Sequence, residues 1–129
     1  MKEALKQYRI LEEPLVTKFG LQIALGLKDM QQANIVHRDL KPANIILTTK
    51  DIMTSSVKIA DLGLSKSIDQ DVMAVTTCGS PYYMAPEVFR PGVTYAHEVD
   101  IWSLGALIYE LIVGHVAFPC QSLDELFRL

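Results

Sequence analysis

The stretch His37-Arg38-Asp39-Leu40-Lys41-Pro42-Ala43-Asn44 decides the reading of this chain. Polar side chains crowd it, yet it lies between two apolar runs, Ile35-Val36 before it and Ile45-Ile46-Leu47 after it. The second run reads as a buried strand. Thr48 to Ser56 is turn-like, and Val57-Lys58-Ile59-Ala60 alternates as the second arm of a β-hairpin. Asp61 follows at once. A hairpin sets the start of its first arm beside the end of its second. Arg38, Asp39, Lys41 and Asn44 are therefore expected to meet Asp61, so that carboxylates, a carboxamide and a lysine converge.

Helical patterns flank this centre. Lys2 to Leu11 reads as a short amphipathic helix, with Leu5, Tyr8 and Ile10 or Leu11 on its apolar side. Pro14 suits the first turn of a second helix, where its missing N–H is harmless. That helix runs to Gln32, with Val16, Phe19, Ile23, Leu27 and Met30 on one stripe. Gly20 and Gly26 each cost a helix about 1 kcal/mol relative to Ala, which close packing against a neighbour would explain. Asn34 is the expected stop. From Asp61 to Pro81 no period holds, and so long a loop inside a compact domain is usually functional or disordered. Pro86 to Arg90 can form one helical turn, ended by Pro91-Gly92. Glu98 to Val113 is a third long helix, with acidic residues in its first turn and Gly114 just past its end. Ser122 begins a further helix.

The 129 residues suffice for one domain, and half of them are hydrophobic against 21% charged, a globular balance. A net charge of −3 gives no general basic field for nucleic acid. Cys78 and Cys120 lie far apart without a CxxC spacing and read as reduced thiols of an intracellular protein. Ile101 to Phe118 is apolar enough to resemble a membrane span. Glu110 in its middle argues instead for a helix buried in a soluble domain.

The convergent set suits phosphoryl transfer. Mg²⁺ takes oxygen ligands, typically one or two carboxylates plus substrate phosphates. Asn44 and Asp61 can supply such oxygens. Asp39 can orient a hydroxyl and accept its proton, and Lys41 can offset charge on the transferring group.

The same residues, with Asp61-Leu62-Gly63 and Ala85-Pro86-Glu87 following in order, make the chain resemble the eukaryotic protein kinases of Ser/Thr type. The resemblance covers essentially the whole chain. It implies a protein-kinase-like α+β fold, of which this chain is mainly the α-helical C-lobe with a small β-hairpin, and transfer of the ATP γ-phosphate to protein Ser/Thr hydroxyls. It implies that Asp39, Lys41 and Asn44 are catalytic, that Lys41, Asn44 and Asp61 bind the nucleotide, and that Asn44 and Asp61 hold Mg²⁺. Leu62 stands where the family usually has Phe. Lys41 matches the Ser/Thr rather than the tyrosine pattern, and Ser80 the residue beside the substrate hydroxyl. Arg38 and Thr76 resemble a regulatory pair in which phosphothreonine bonds Arg and orders the activation loop, with Thr77 as the rival site. Asp100 resembles the aspartate that braces the catalytic loop. Glu87 resembles a glutamate whose usual arginine partner is not in this sequence. Ala117 replaces the usual proline of a local turn. His37, Tyr82, Tyr83 and Met84 are read as packing residues, Lys58 and Lys66 as solvated.

The Gly-rich loop, strand lysine and helix glutamate of a whole kinase are not found in this sequence. Residues 1–129 are accordingly expected to be a partial kinase domain, without the N-lobe and the last C-lobe helices, and of negligible activity alone. The expected setting is intracellular, in the cytoplasm. Expected partners are a protein substrate and an N-lobe or other chain that completes the fold, with no nucleic acid and no membrane. The alternative reading is a non-catalytic scaffold built on a kinase lobe.

Overall fold

The computed structural model describes residues 1–67, 81–90, 93–120 and 125. Its helices are α1 (Lys2–Tyr8), α2 (Glu13–Gln32) and α3 (Glu98–Val113), and its strands are β1 (Ile35–Val36), β2 (Ile45–Leu47), β3 (Val57–Ile59) and β4 (Lys66–Ser67). Two antiparallel pairs form: β2 with β3, in the register Ile45 to Ile59, and β1 with β4. The second pair has no counterpart in the sequence reading.

α2 starts where Pro14 allows, and its expected stripe faces inward. Val16, Phe19, Ile23 and Leu27 are buried, and Met30 packs on the same core. A Cβ on Gly20 would lie 3.3 Å from Ile108 Cδ1, and one on Gly26 would lie 3.1 Å from Ile59 Cδ1. The glycines thus let α3 and the hairpin approach α2 closely. The contacts of Gly20 with Ile108 and of Leu11 N–H with the Leu111 carbonyl (2.8 Å) set α2 antiparallel to α3. Leu40, Ile45, Leu107 and Leu111 are fully buried in the same core as the α2 stripe.

α1 is shorter than its pattern suggests. Arg9 takes a left-handed conformation (φ 63°) and turns the chain, so Tyr8 and Ile10 are exposed while Leu11 is buried. β2 is half-buried rather than buried, since Ile46 points outward. α3 buries Val99, Asp100, Ser103, Leu104, Ala106, Leu107 and Leu111 and leaves Ile101, Tyr109 and Ile112 exposed, so it is buried on one side only. Its Gly114 stop is as expected (φ 84°). Among the described residues, no helix is long and apolar enough to cross a membrane. The helix expected from Ser122 falls almost wholly outside the described residues.

Candidate active site

The hairpin ladder continues one step past β2 and β3, because Ala60 N–H donates to the Asn44 carbonyl at 2.8 Å. Asn44 therefore sits opposite Ala60, and Asp61 is the next residue. The catalytic-loop candidates and Asp61 thus meet at one end of the hairpin, as the sequence implies.

Asp39 is the best-held group there. Its side chain is only 9% exposed. Its Oδ2 accepts from Lys41 Nζ at 2.7 Å and from Asn44 Nδ2 at 3.0 Å. Asn44 Nδ2 also donates to the Asp39 carbonyl at 2.8 Å. Both Asp39 atoms are acceptors, so the amide must face them with its nitrogen, which turns Asn44 Oδ1 away. Charge-assisted bonds of this kind are the stronger ones.

His37 is fully buried and spans the two arms of the site. Its Nδ1 accepts the Asp39 N–H at 3.3 Å, which leaves Nε2–H to donate to the Ala60 carbonyl at 3.0 Å. Below it, Asp100 from the first turn of α3 accepts the N–H groups of His37 (2.8 Å) and Arg38 (2.9 Å). Arg38 has φ 68°, a left-handed backbone that costs a non-glycine residue about 1–2 kcal/mol. The Asp100 carboxylate holds it there. Burial pushes the Asp100 carboxyl above its ordinary value, and the two N–H donors pull it back in part.

Asp61 is exposed and left-handed (φ 64°), and its Oδ1 accepts the Gly63 N–H at 3.2 Å, capping the short 3-10 turn Leu62–Leu64. The donor set suits a hard cation. A carboxylate and the Asn44 carboxamide oxygen turned away from Asp39 are oxygen ligands on adjoining backbone, to which substrate phosphates would add the remainder. Among the described residues, no group of three or more His, Cys, Asp or Glu could cage a metal by itself.

Thr76, Thr77, Cys78 and Ser80 lie outside the described residues. Lys58 is exposed, as expected, and Glu87 is half-buried.

One contact was missed. Tyr83 O–H donates to Glu110 Oε2 at 2.5 Å, and Ser103 Oγ donates to the Tyr83 carbonyl at 2.7 Å, fastening the segment Pro81–Tyr83 to α3. The signal was available. A carboxylate inside an apolar helix that is not a membrane span needs a polar partner. Burial and then Glu110 push the Tyr83 phenol far above its ordinary value.

A family model described as protein kinase domain matches residues 1–128. Serine/threonine-protein kinase ATG1a of Arabidopsis thaliana is 41% identical over 116 residues, which is 90% of this chain and 18% of that protein. Serine/threonine-protein kinase atg1 of Dictyostelium discoideum is 40% identical over 124 residues, 96% of this chain and 18% of that protein. Serine/threonine-protein kinase ULK1 of Homo sapiens is 36% identical over 131 aligned residues, 98% of this chain and 12% of that protein. The chain therefore spans less than a fifth of the length of these relatives.

Proposed function

Because the chain belongs to the protein kinase family, we propose that it carries the hydroxyl-activating and metal-holding side of a site that transfers the ATP γ-phosphate to Ser/Thr hydroxyls. The observation that carries this reading is the triple hold on Asp39 by Lys41, Asn44 and His37. With Oδ2 doubly bonded, Oδ1 is the oxygen left to accept a substrate hydroxyl proton. A base held in this way before substrate arrives would have the kind of positioning on which phosphoryl transfer mostly depends. Lys41 stands one residue from Pro42 at the same carboxylate and can offset charge on the transferring group. Asn44 Oδ1 and the Asp61 carboxylate would hold Mg²⁺, which when bound neutralises charge on the phosphates.

The relatives are named serine/threonine kinases, which supports Ser/Thr as acceptor, and the need for ATP supports an intracellular, cytoplasmic setting. Arg38 and a phosphorylated Thr76 remain part of this proposal on the sequence pattern, as does Ser80 beside the acceptor hydroxyl. The family's phosphate-covering groups do not occur among these 129 residues. We therefore propose that this partial kinase domain turns over ATP only when those groups are supplied.

The test needs no turnover. Mn²⁺ replaces Mg²⁺ and broadens nearby NMR signals. Titrated with ATP into the ¹⁵N-labelled chain, it should broaden the amides of residues 44 and 60–63 first, and Asp61→Ala should abolish this. Broadening centred elsewhere, or unchanged in Asp61→Ala, would overturn the metal and nucleotide assignment.

A further inference from the structure

A cleft of about 650 Å³ opens beside the catalytic loop, between α1 on one wall and Tyr82, Tyr83 and Glu110 on the other, with Lys41, Pro42 and Ala43 along its edge. Its charge is uneven. Lys2, Lys6 and Lys41 line it against a single carboxylate, Glu110. Lys41 is committed to Asp39, and one Glu110 oxygen already accepts the Tyr83 hydroxyl. Ala43, on the loop itself, adds no charge. The α1 wall therefore sets the sign.

Lys2 and Lys6 are both exposed and stand one helical turn apart, so their side chains rise from the same face of α1. Lys6 contacts Glu3 at 3.1 Å, but both side chains are largely in water, where such a pair contributes little and yields readily to another anion. Four residues of helix advance about 6 Å. An extended peptide advances about 3.3 Å per residue and points every second side chain the same way. Two acidic side chains separated by one residue thus match the spacing of the two ammonium groups.

We infer that this cleft selects peptide substrates in which the acceptor Ser/Thr is flanked by two acidic residues at alternate positions, read by Lys2 and Lys6. The inference rests on the kinase reading for its placement beside Asp39, and it names the substrate class of that site.

Peptide binding to the full chain tests it without phosphate transfer. Three serine peptides are compared by ¹⁵N chemical-shift titration, flanked on both sides by Glu-x-Glu, Gln-x-Gln or Lys-x-Lys. The acidic peptide should shift the amides of residues 2–6 and 41–43 and bind about five-fold more tightly than the neutral one, the scale of two exposed ion pairs. The advantage should shrink as salt rises. Lys2→Gln/Lys6→Gln should remove the preference, and Lys2→Glu/Lys6→Glu should transfer it to the Lys-x-Lys peptide. Equal affinities, shifts centred elsewhere, or an unchanged preference in both variants would overturn the inference. Failure of the Mn²⁺–ATP experiment with the acidic preference intact would overturn the metal and nucleotide assignment alone. The reverse pattern would overturn only the peptide preference.

Discussion

Asp39 and Asp61 stand at the same end of one hairpin and are held in opposite ways. The Asp39 carboxylate accepts from Lys41 and from the Asn44 amide, its carbonyl accepts from the same amide, and its N–H donates to His37 Nδ1. His37 is itself tied to the Ala60 carbonyl and to Asp100 of α3. Each of these links ends on the core. Asp61 is exposed, and the bond described for its carboxylate runs only to Gly63 in its own turn. A proton acceptor has to be in place before the substrate arrives, because its alignment lowers the barrier. A cation ligand can be left unfinished, since the ion and the phosphates complete its geometry. Under the proposed function, the half held by the fold is the base, and the loose half is the one that a cation and phosphates would complete.

Removing the brace beneath the fixed half should have the largest effect. Asp100→Ala removes the acceptor of the buried His37 N–H and of the part-buried Arg38 N–H. Each such loss costs about 1–3 kcal/mol, so unfolding in urea should become easier by roughly 2–6 kcal/mol. Asp100→Asn keeps one acceptor and aims an NH₂ at the other N–H, and should fall between. A urea midpoint for Asp100→Ala equal to the parent's would show that the loop does not hang on α3.

A smaller effect sharpens the same contrast at the Pro81–Tyr83 segment. Tyr83→Phe removes the hydroxyl from Glu110 and should cost about 1–2 kcal/mol near neutral pH. The pH dependence has a definite sign. The native phenol keeps its proton above the ordinary value of 10.0, whereas the unfolded one loses it there. The stabilisation is therefore complete below about pH 10 and declines as pH rises beyond it. Urea unfolding of parent and Tyr83→Phe on both sides of that pH should show a constant gap below it and a narrowing gap above. A gap that widens with alkali would refute the assigned direction.

The sequence was most legible where periodicity and caps agree. α2 and α3 have the expected limits because Pro14, Asn34 and Gly114 punctuate clear apolar stripes. The end of α1 was misjudged because Leu11 is drawn into the core by its bond to Leu111, a contact between distant residues. The apolar run of α3 signalled burial but not which sides would be covered, and Ile101 and Ile112 are exposed. The β1–β4 pair was invisible, since two-residue strands carry no period. At the site, residue order gave the meeting of Asp39, Lys41 and Asn44 with Asp61 at one end of the hairpin. It could not give the use of the Asn44 NH₂ on Asp39 or the His37 bridge, because those depend on side-chain direction.

Asp61 offers the finest test, where stability and function should move in opposite directions. Its left-handed backbone is strained for any residue with a Cβ, and glycine relieves that strain of about 1–2 kcal/mol while giving back some of it through greater freedom in the unfolded chain. The lost bond to Gly63 is exposed and local, so little stability goes with it. Asp61→Gly should therefore unfold at an equal or slightly higher urea concentration, a gain of up to about 1 kcal/mol, while losing the Mn²⁺–ATP response altogether. If Asp61→Gly were instead destabilised by more than about 1 kcal/mol, the turn at Asp61 would be part of the fixed half, and the division between the two aspartates would not hold.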